Sequence, residues 1–396
     1  MERVSARAVP GAPPDGAPIG GTCDPRFAAV GEAFAANFAE RGEVGAAVCV
    51  VVGGKTVVDV WGGWADGPRT RPWTADTLVN VFSVGKGLAA LCCARLGAAG
   101  RLEVDVPVAR LWPAFAQAGK EDVTGAQVLS HRAGLPAVRR RLPPGAMLDH
   151  GRMAAALADQ APWWPPGTAH GYHTNTFGFL VGEIVRRADG RTLGTVLREE
   201  VAGPLAADVH VGLPDAEHHR VAEFLWDLEP PPETEPPGLG DEELMEHNGY
   251  FNPSGLSGAG VVNTAAWRRA ELPSTNAHAS ARGVARIYQA LAGWGRLGTC
   301  EVVDRGTLEA FTAERSCGQD LVLHRPSRFA LGFQLTQPER PLGPGARAFG
   351  HFGAGGSLGF CDPDLGLAFG YVMNTMGPRW QNPRNRALVE AVTGAL

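Results

Sequence analysis

The sequence predicts an α+β fold: an antiparallel sheet built from both ends of the chain and flanked by helices, with a mainly helical domain inserted between the halves. Three observations predict it. Two β-rich runs, residues 45–52 and 55–63, flank Gly53-Gly54, a strong hairpin signal. A second β-prone region, residues 366–374, lies close to the C-terminus. Between them, from residue 102 to about 270, helices and long loops prevail and alternation is scarce. One sheet that closes only when both ends of the chain meet accounts for this order.

Composition bounds the function. With 396 residues, 44% hydrophobic and 19% charged, the chain can bury a large core in one big or two intimately joined domains. A net charge of −5, with no basic cluster longer than Arg139-Arg140-Arg141, argues against nucleic acid and leaves a small molecule as the default ligand. No apolar run approaches the ~20 residues of a membrane helix, so no membrane partner is expected. Seven cysteines without zinc-ligand spacing suit a reducing cytoplasm, and no metal site is expected.

In chain order, residues 1–25 are rich in Pro, Gly and Ala, without the apolar core of a secretory leader, and read as a flexible segment. Residues 27–40 form an amphipathic helix with Phe27, Val30, Phe34 and Phe38 on its stripe, and the hairpin follows. A helix is predicted from about residue 84, where small and apolar residues without proline run for three turns. A short helix ends in Leu129-Ser130-His131-Arg132-Ala133-Gly134-Leu135-Pro136, where Gly and Pro stop it. Residues 177–187 and 280–291 are helical, 329–335 a short strand, 349–360 Gly-dense, and 383–392 a closing helix. Residues 229–243, with Pro230-Pro231-Pro232 and Pro236-Pro237, read as a lid-like loop. The domains expected are therefore 26–95 with 280–396 for the sheet, and 96–279 for the helical part.

Chemistry concentrates at Ser83-Val84-Gly85-Lys86, a Ser-x-x-Lys at the mouth of a helix. Three residues apart, both side chains emerge on one face. A serine hydroxyl needs a neighbour to take its proton, and an amine does so where its charged form is disfavoured. The helix N-terminus adds partial positive charge for a developing oxyanion.

Four stretches in order, Ser83-x-x-Lys86, residues 129–136, Pro166-Gly167-Thr168 before Tyr172, and Phe349-Gly350-His351-Phe352-Gly353-Ala354-Gly355-Gly356, resemble the class C β-lactamase and penicillin-recognising serine enzymes. The family VIII carboxylesterase branch is the most similar. The resemblance implies a β-lactamase/DD-peptidase-like fold, an acylated Ser83, Lys86 as its base and Tyr172 as proton shuttle, its phenol pKa lowered by Lys86. The family's asparagine falls one residue late, at Asn175, which is assigned to substrate binding. His351-Phe352-Gly353 replaces the Lys-Thr-Gly strand, so His351 and Gly353 are expected to meet a neutral ester or amide rather than a carboxylate. The N–H groups of Ser83 and Ala354 are implied as the oxyanion hole, and no cofactor is required. Passing the acyl group to an alcohol or amine acceptor is the alternative activity; β-lactam or D-Ala peptide cleavage and a non-catalytic binding role rank lower.

Gly355-Gly356-Ser357-Leu358-Gly359 spells Gly-x-Ser-x-Gly, but a nucleophile elbow needs a following helix, and a turn and strand follow instead. His131 is expected to cap helix carbonyls. Trp163-Trp164 and Tyr250-Phe251 are candidates for an apolar acyl pocket.

Overall fold

The computed structural model describes residues 18–226, 238–378 and 380–396. Its centre is a nine-stranded antiparallel sheet. The strands are β1 (Ile19–Cys23), β2 (Gly45–Val52), β3 (Lys55–Gly63), β4 (Ser316–Gln319), β5 (Pro326–Phe329), β6 (Gln334–Leu335), β7 (Phe349–Phe352), β8 (Leu358–Asp362) and β9 (Leu367–Met373). They run in the order β1-β3-β2-β9-β8-β7-β6-β5-β4, so the N-terminal hairpin joins the C-terminal strands through the β2–β9 pair.

Helices cover both faces. The helices used below are α1 (Ala28–Glu40), α2 (Val84–Ala98), α3 (Gly125–Leu129), α4 (Thr176–Asp189), α5 (Asp241–Phe251), α6 (Ala281–Ala292) and α7 (Pro383–Ala395). Gly359 and Gly370 pair across β8 and β9, and a Cβ on them would lie 2.4 Å from Tyr288 Cε2 and from the Ala281 carbonyl respectively. This bare patch is what seats α6 on the sheet. The next residue, Tyr371, points to the opposite face, where its hydroxyl donates to Glu43 and Arg384 of α7 pairs with the same carboxylate at 2.9 Å.

The helix α2 is buried almost all round, with Leu88, Leu91 and Leu96 fully covered, each contributing ~1.5–3 kcal/mol. It runs between β7 and α4, so its N-terminus opens at the seam between sheet and helical part.

Several expectations are corrected. Ile19–Cys23, within the segment read as flexible, pairs with β3 as an edge strand, its register set by Ile19↔Gly62 through Cys23↔Val58. The strand expected at 329–335 is split into β5 and β6, because the chain turns on Gly332 at φ 82°. Of the lid-like loop, residues 229–237 lie outside the described residues; its end at Asp241 opens α5, where three acidic residues in the first turn favour the helix N-terminus. Among the described residues no helix is long and apolar enough to cross a membrane.

Candidate active site

Ser83 stands at the N-terminal end of α2, and the residue before it is held in an unusual conformation. Phe82 has φ 47°, a left-handed geometry that costs a bulky L-residue energy, and edge-on packing against Phe224 (4.8 Å) and Trp226 (6.1 Å) holds it there. The turn aims the Ser83 side chain back along the first helical turn, where Lys86 Nζ lies 3.0 Å from Ser83 Oγ.

Lys86 is fully buried, and burial pushes its pKa well below the ordinary lysine value. Nζ also donates to the carbonyls of Thr174 (2.6 Å) and Ser274 (3.2 Å). Two carbonyls thus take two N–H bonds and leave the third tetrahedral direction on Ser83. In the ammonium that direction is a donor; in the neutral amine it is a lone pair that accepts the serine O–H.

Tyr172 is brought to the same place from the helical part. Its ring lies under Lys86, with Nζ 4.7 Å from the centroid. The phenol is fully buried and makes no hydrogen bond of ordinary geometry, although the Ser83 hydroxyl acts on it and lowers its pKa. Burial outweighs that effect and raises the phenol well above its usual pKa. The expected lowering by the Lys86 cation is therefore corrected: one desolvation pushes lysine toward the neutral amine and the phenol toward its protonated form.

The stretch 129–136 is the scaffold behind Tyr172. His131 Nδ1 accepts the His173 N–H (3.1 Å), and its ring packs 4.9 Å from that of Tyr172. His131 therefore does not cap helix carbonyls as expected, because its ring nitrogen is an acceptor. His173 donates from Nδ1 to the Gly171 carbonyl (2.6 Å) and accepts the Leu135 N–H at Nε2 (3.0 Å), a fixed neutral tautomer with its pKa pushed down to about 4.

A cleft of about 580 Å³ opens over this group, with Ser83, Thr174, Asn175 and Ala354 on its floor and Phe82, Trp226, Tyr250, Phe251, Met376 and Trp380 among its walls. Ser83 and Ala354 both reach it, and neither N–H donates to a protein acceptor among the described residues. Tyr250-Phe251 line it, whereas Trp163-Trp164 pack elsewhere, against a cluster of Ala137, Met245 and Val322.

Three residues sit differently from their expected role. His351 is fully buried beneath the floor, its Nδ1–H given to the Phe352 carbonyl (2.6 Å) and its pKa pushed down to about 3 by burial and then by Lys86, so it brings no charge to a substrate. Gly353 admits not a ligand but the chain itself: a Cβ there would lie 2.3 Å from the Val81 carbonyl. Asn175 lines the cleft, yet its amide donates to the Gly249 carbonyl (2.7 Å) and Ser257 (3.0 Å) and accepts from Thr275 (2.8 Å), which makes it a bracket between α4 and its neighbours. Ser357 is fully buried between a Gly-rich turn and β8, away from the cleft.

Sequence reasoning missed Phe82, Trp226, Trp380 and Asp320. The last, fully buried, accepts the Tyr172 N–H at 3.0 Å. A carboxylate flanked by Gln319 and Leu321 carries no pattern that marks it in sequence.

Comparisons with known proteins place the chain in a family. The β-lactamase family model matches residues 32–393. The chain is 35% identical to the esterase/β-lactamase LipL of Mycobacterium tuberculosis over 377 residues, 92% of this chain and 85% of that protein. Among solved structures it is similar to a penicillin-binding protein homologue from Caulobacter crescentus (TM-score 0.87, 43% identity) and to a family VIII carboxylesterase (TM-score 0.87, 40% identity); each comparison covers 96% of this chain and 100% of the other.

Proposed function

Since the chain belongs to the β-lactamase family, we propose that it hydrolyses esters through an acyl intermediate on Ser83. The observation that carries the reading is the 3.0 Å pairing of Ser83 Oγ with a buried Lys86 whose other two hydrogen bonds go to carbonyls. The neutral amine takes the serine proton as Oγ attacks the ester carbonyl carbon. The N–H groups of Ser83 and Ala354 receive the oxyanion, aided by the N-terminus of α2. Tyr172, kept protonated by burial, gives its proton to the leaving alcohol. The lysinium then returns the serine proton to the phenolate 172 beside it. Water attacks the acyl-enzyme through the same groups in reverse.

No cofactor takes part in these steps, which need only the chain's own groups, the ester and water. An uncharged His351 in place of a lysine favours neutral esters over substrates anchored by a carboxylate. All seven cysteines are free thiols, which supports a reducing compartment such as the cytoplasm. The aromatic walls of the cleft favour a second reading, transfer of the acyl group to an alcohol or amine that displaces water from the acyl-enzyme.

The test is covalent labelling by a fluorophosphonate with turnover of a short p-nitrophenyl ester. Labelling at Ser83, lost in Ser83→Ala, with ester turnover faster than nitrocefin turnover supports ester hydrolysis; the reverse order of substrates refutes it. Supplying ester and amine together and finding the amide in excess of free acid selects the transferase.

A further inference from the structure

Asp320 is a buried ionisable group that the mechanism above leaves unused. Its side chain is fully buried, and an unpaired carboxylate would not survive there. Oδ1 accepts three backbone N–H groups, from Tyr172 (3.0 Å), Val322 (2.9 Å) and Leu323 (2.9 Å). Oδ2 accepts the Ser327 hydroxyl (2.8 Å), whose oxygen faces His170 Nε2 at 2.9 Å. The backbone closes the same joint, with the Leu321 N–H on the His170 carbonyl at 3.1 Å.

Two segments distant in sequence are thereby tied at one atom. One carries Tyr172; the other, residues 320–325, supplies Leu323, His324 and Arg325 to the cleft wall. Gly171 permits the approach, since a Cβ on it would lie 3.0 Å from Val322 Cγ2. Without the carboxylate three buried backbone N–H groups and a serine hydroxyl would lose their acceptor, so this one side chain fixes the relative position of both segments.

We infer that Asp320 is a positioning residue for proton delivery: its carboxylate locks the backbone of Tyr172 to the cleft wall and so keeps the phenol in reach of the leaving group. This rests on the reading of Tyr172 as the acid. A phenol displaced by a fraction of an ångström fails first where the leaving group most needs a proton.

The experiment compares kcat/KM for an ethyl and a p-nitrophenyl ester of one acid in Asp320→Ala, Asp320→Asn, Tyr172→Phe and Tyr172→Phe/Asp320→Ala. An ethoxide leaving group requires protonation, whereas p-nitrophenolate does not. Asp320→Ala is expected to lose about tenfold or more on the ethyl ester and less than about threefold on the p-nitrophenyl ester, within the ~10²–10⁴ that complete loss of an acid removes. Asp320→Asn, whose amide oxygen can still accept the three N–H groups, restores most of it, and the double variant is no slower than Tyr172→Phe alone. Equal losses on the two esters, or losses that add to Tyr172→Phe, overturn the inference. A near-normal Tyr172→Phe enzyme instead overturns the reading of Tyr172. If Asp320→Ala fails to fold, Ser327→Ala, which removes the Oδ2 partner, is expected to show the same ester selectivity to a smaller degree, and equal losses there also overturn it.

Discussion

Replacing Gly353 by alanine is expected to disable the oxyanion hole without touching any reacting group. Gly353 has φ −105° and ψ 157°, a conformation alanine adopts freely, so backbone strain plays no part. The new methyl carbon would lie 2.3 Å from the Val81 carbonyl oxygen, whereas ordinary contact begins at 3.4 Å. The two segments must therefore part by about 1 Å. Val81 precedes Ser83 by two residues and Ala354 follows Gly353 directly, so the wedge drives apart the two N–H groups proposed to hold the oxyanion. Their separation has little slack, because Val81 is itself anchored to the Ala277 carbonyl at 2.8 Å and Phe82 is already strained. Misplacement by about 1 Å costs ~10² in rate, comparable with the ~10²–10³ lost with one oxyanion donor. The accompanying overpacking costs about 1–3 kcal/mol, which a chain with this core tolerates. The assay is kcat/KM on the ethyl and p-nitrophenyl esters, with thermal unfolding to show that the variant is folded. A fall of about 100-fold on both esters is expected, since the oxyanion forms whatever the leaving group. A folded variant within about threefold of the parent would refute the assignment of the Ala354 N–H to the oxyanion.

Other changes test the remaining parts. Ser83→Ala should abolish turnover and Ser357→Ala should leave most of it; a dead Ser357→Ala protein that still unfolds cooperatively would relocate the nucleophile. Lys86 acts as a base only when neutral, so kcat/KM should rise with pH through its depressed pKa, placing the acid limb below the ordinary lysine range. The same depression means that the folded state binds fewer protons than the unfolded one, so this residue's contribution to stability is complete only above the unfolded lysine pKa and is lost as pH falls toward the folded one. Lys86→Met should therefore lose about 10²-fold or more in acylation while raising Tm at neutral pH, and a lowered Tm would argue that the amine's hydrogen bonds outweigh its desolvation. Asn175→Ala should lower Tm by leaving the Gly249 carbonyl and Thr275 hydroxyl short of partners, at about 1–3 kcal/mol; a changed KM with unchanged Tm would return it to substrate binding.

The hairpin strands, α2, α4, α6 and α7 were legible because each rests on local signals: Gly53-Gly54 at the turn, apolar spacing along the helices, Gly and Pro at the ends. Ser83 and Lys86 were legible for the same reason, since one helical turn sets their distance. The breaks came where contacts are remote. Residues 329–335 have β-prone composition, but the chain turns at Gly332, where a Cβ would meet the Cβ of Ala90 on α2 at 2.7 Å. Ile19–Cys23 looked unstructured because its partner strand lies some forty residues on. Gly353 was read as room for a ligand; only the fold reveals that Val81 occupies the space.

By itself, then, the order of residues marked the groups proposed to carry the chemistry and the local elements that present them, because spacing of three or four residues translates directly into proximity on a helix. Tertiary structure alone decided their protonation and aim. Burial, which no local pattern encodes, turns Lys86 toward a neutral amine, keeps phenol 172 protonated and silences His351. Asp320 meets Tyr172 across 148 residues of chain, a contact that exists only because the assembled fold has already brought both segments to the edge of one cleft.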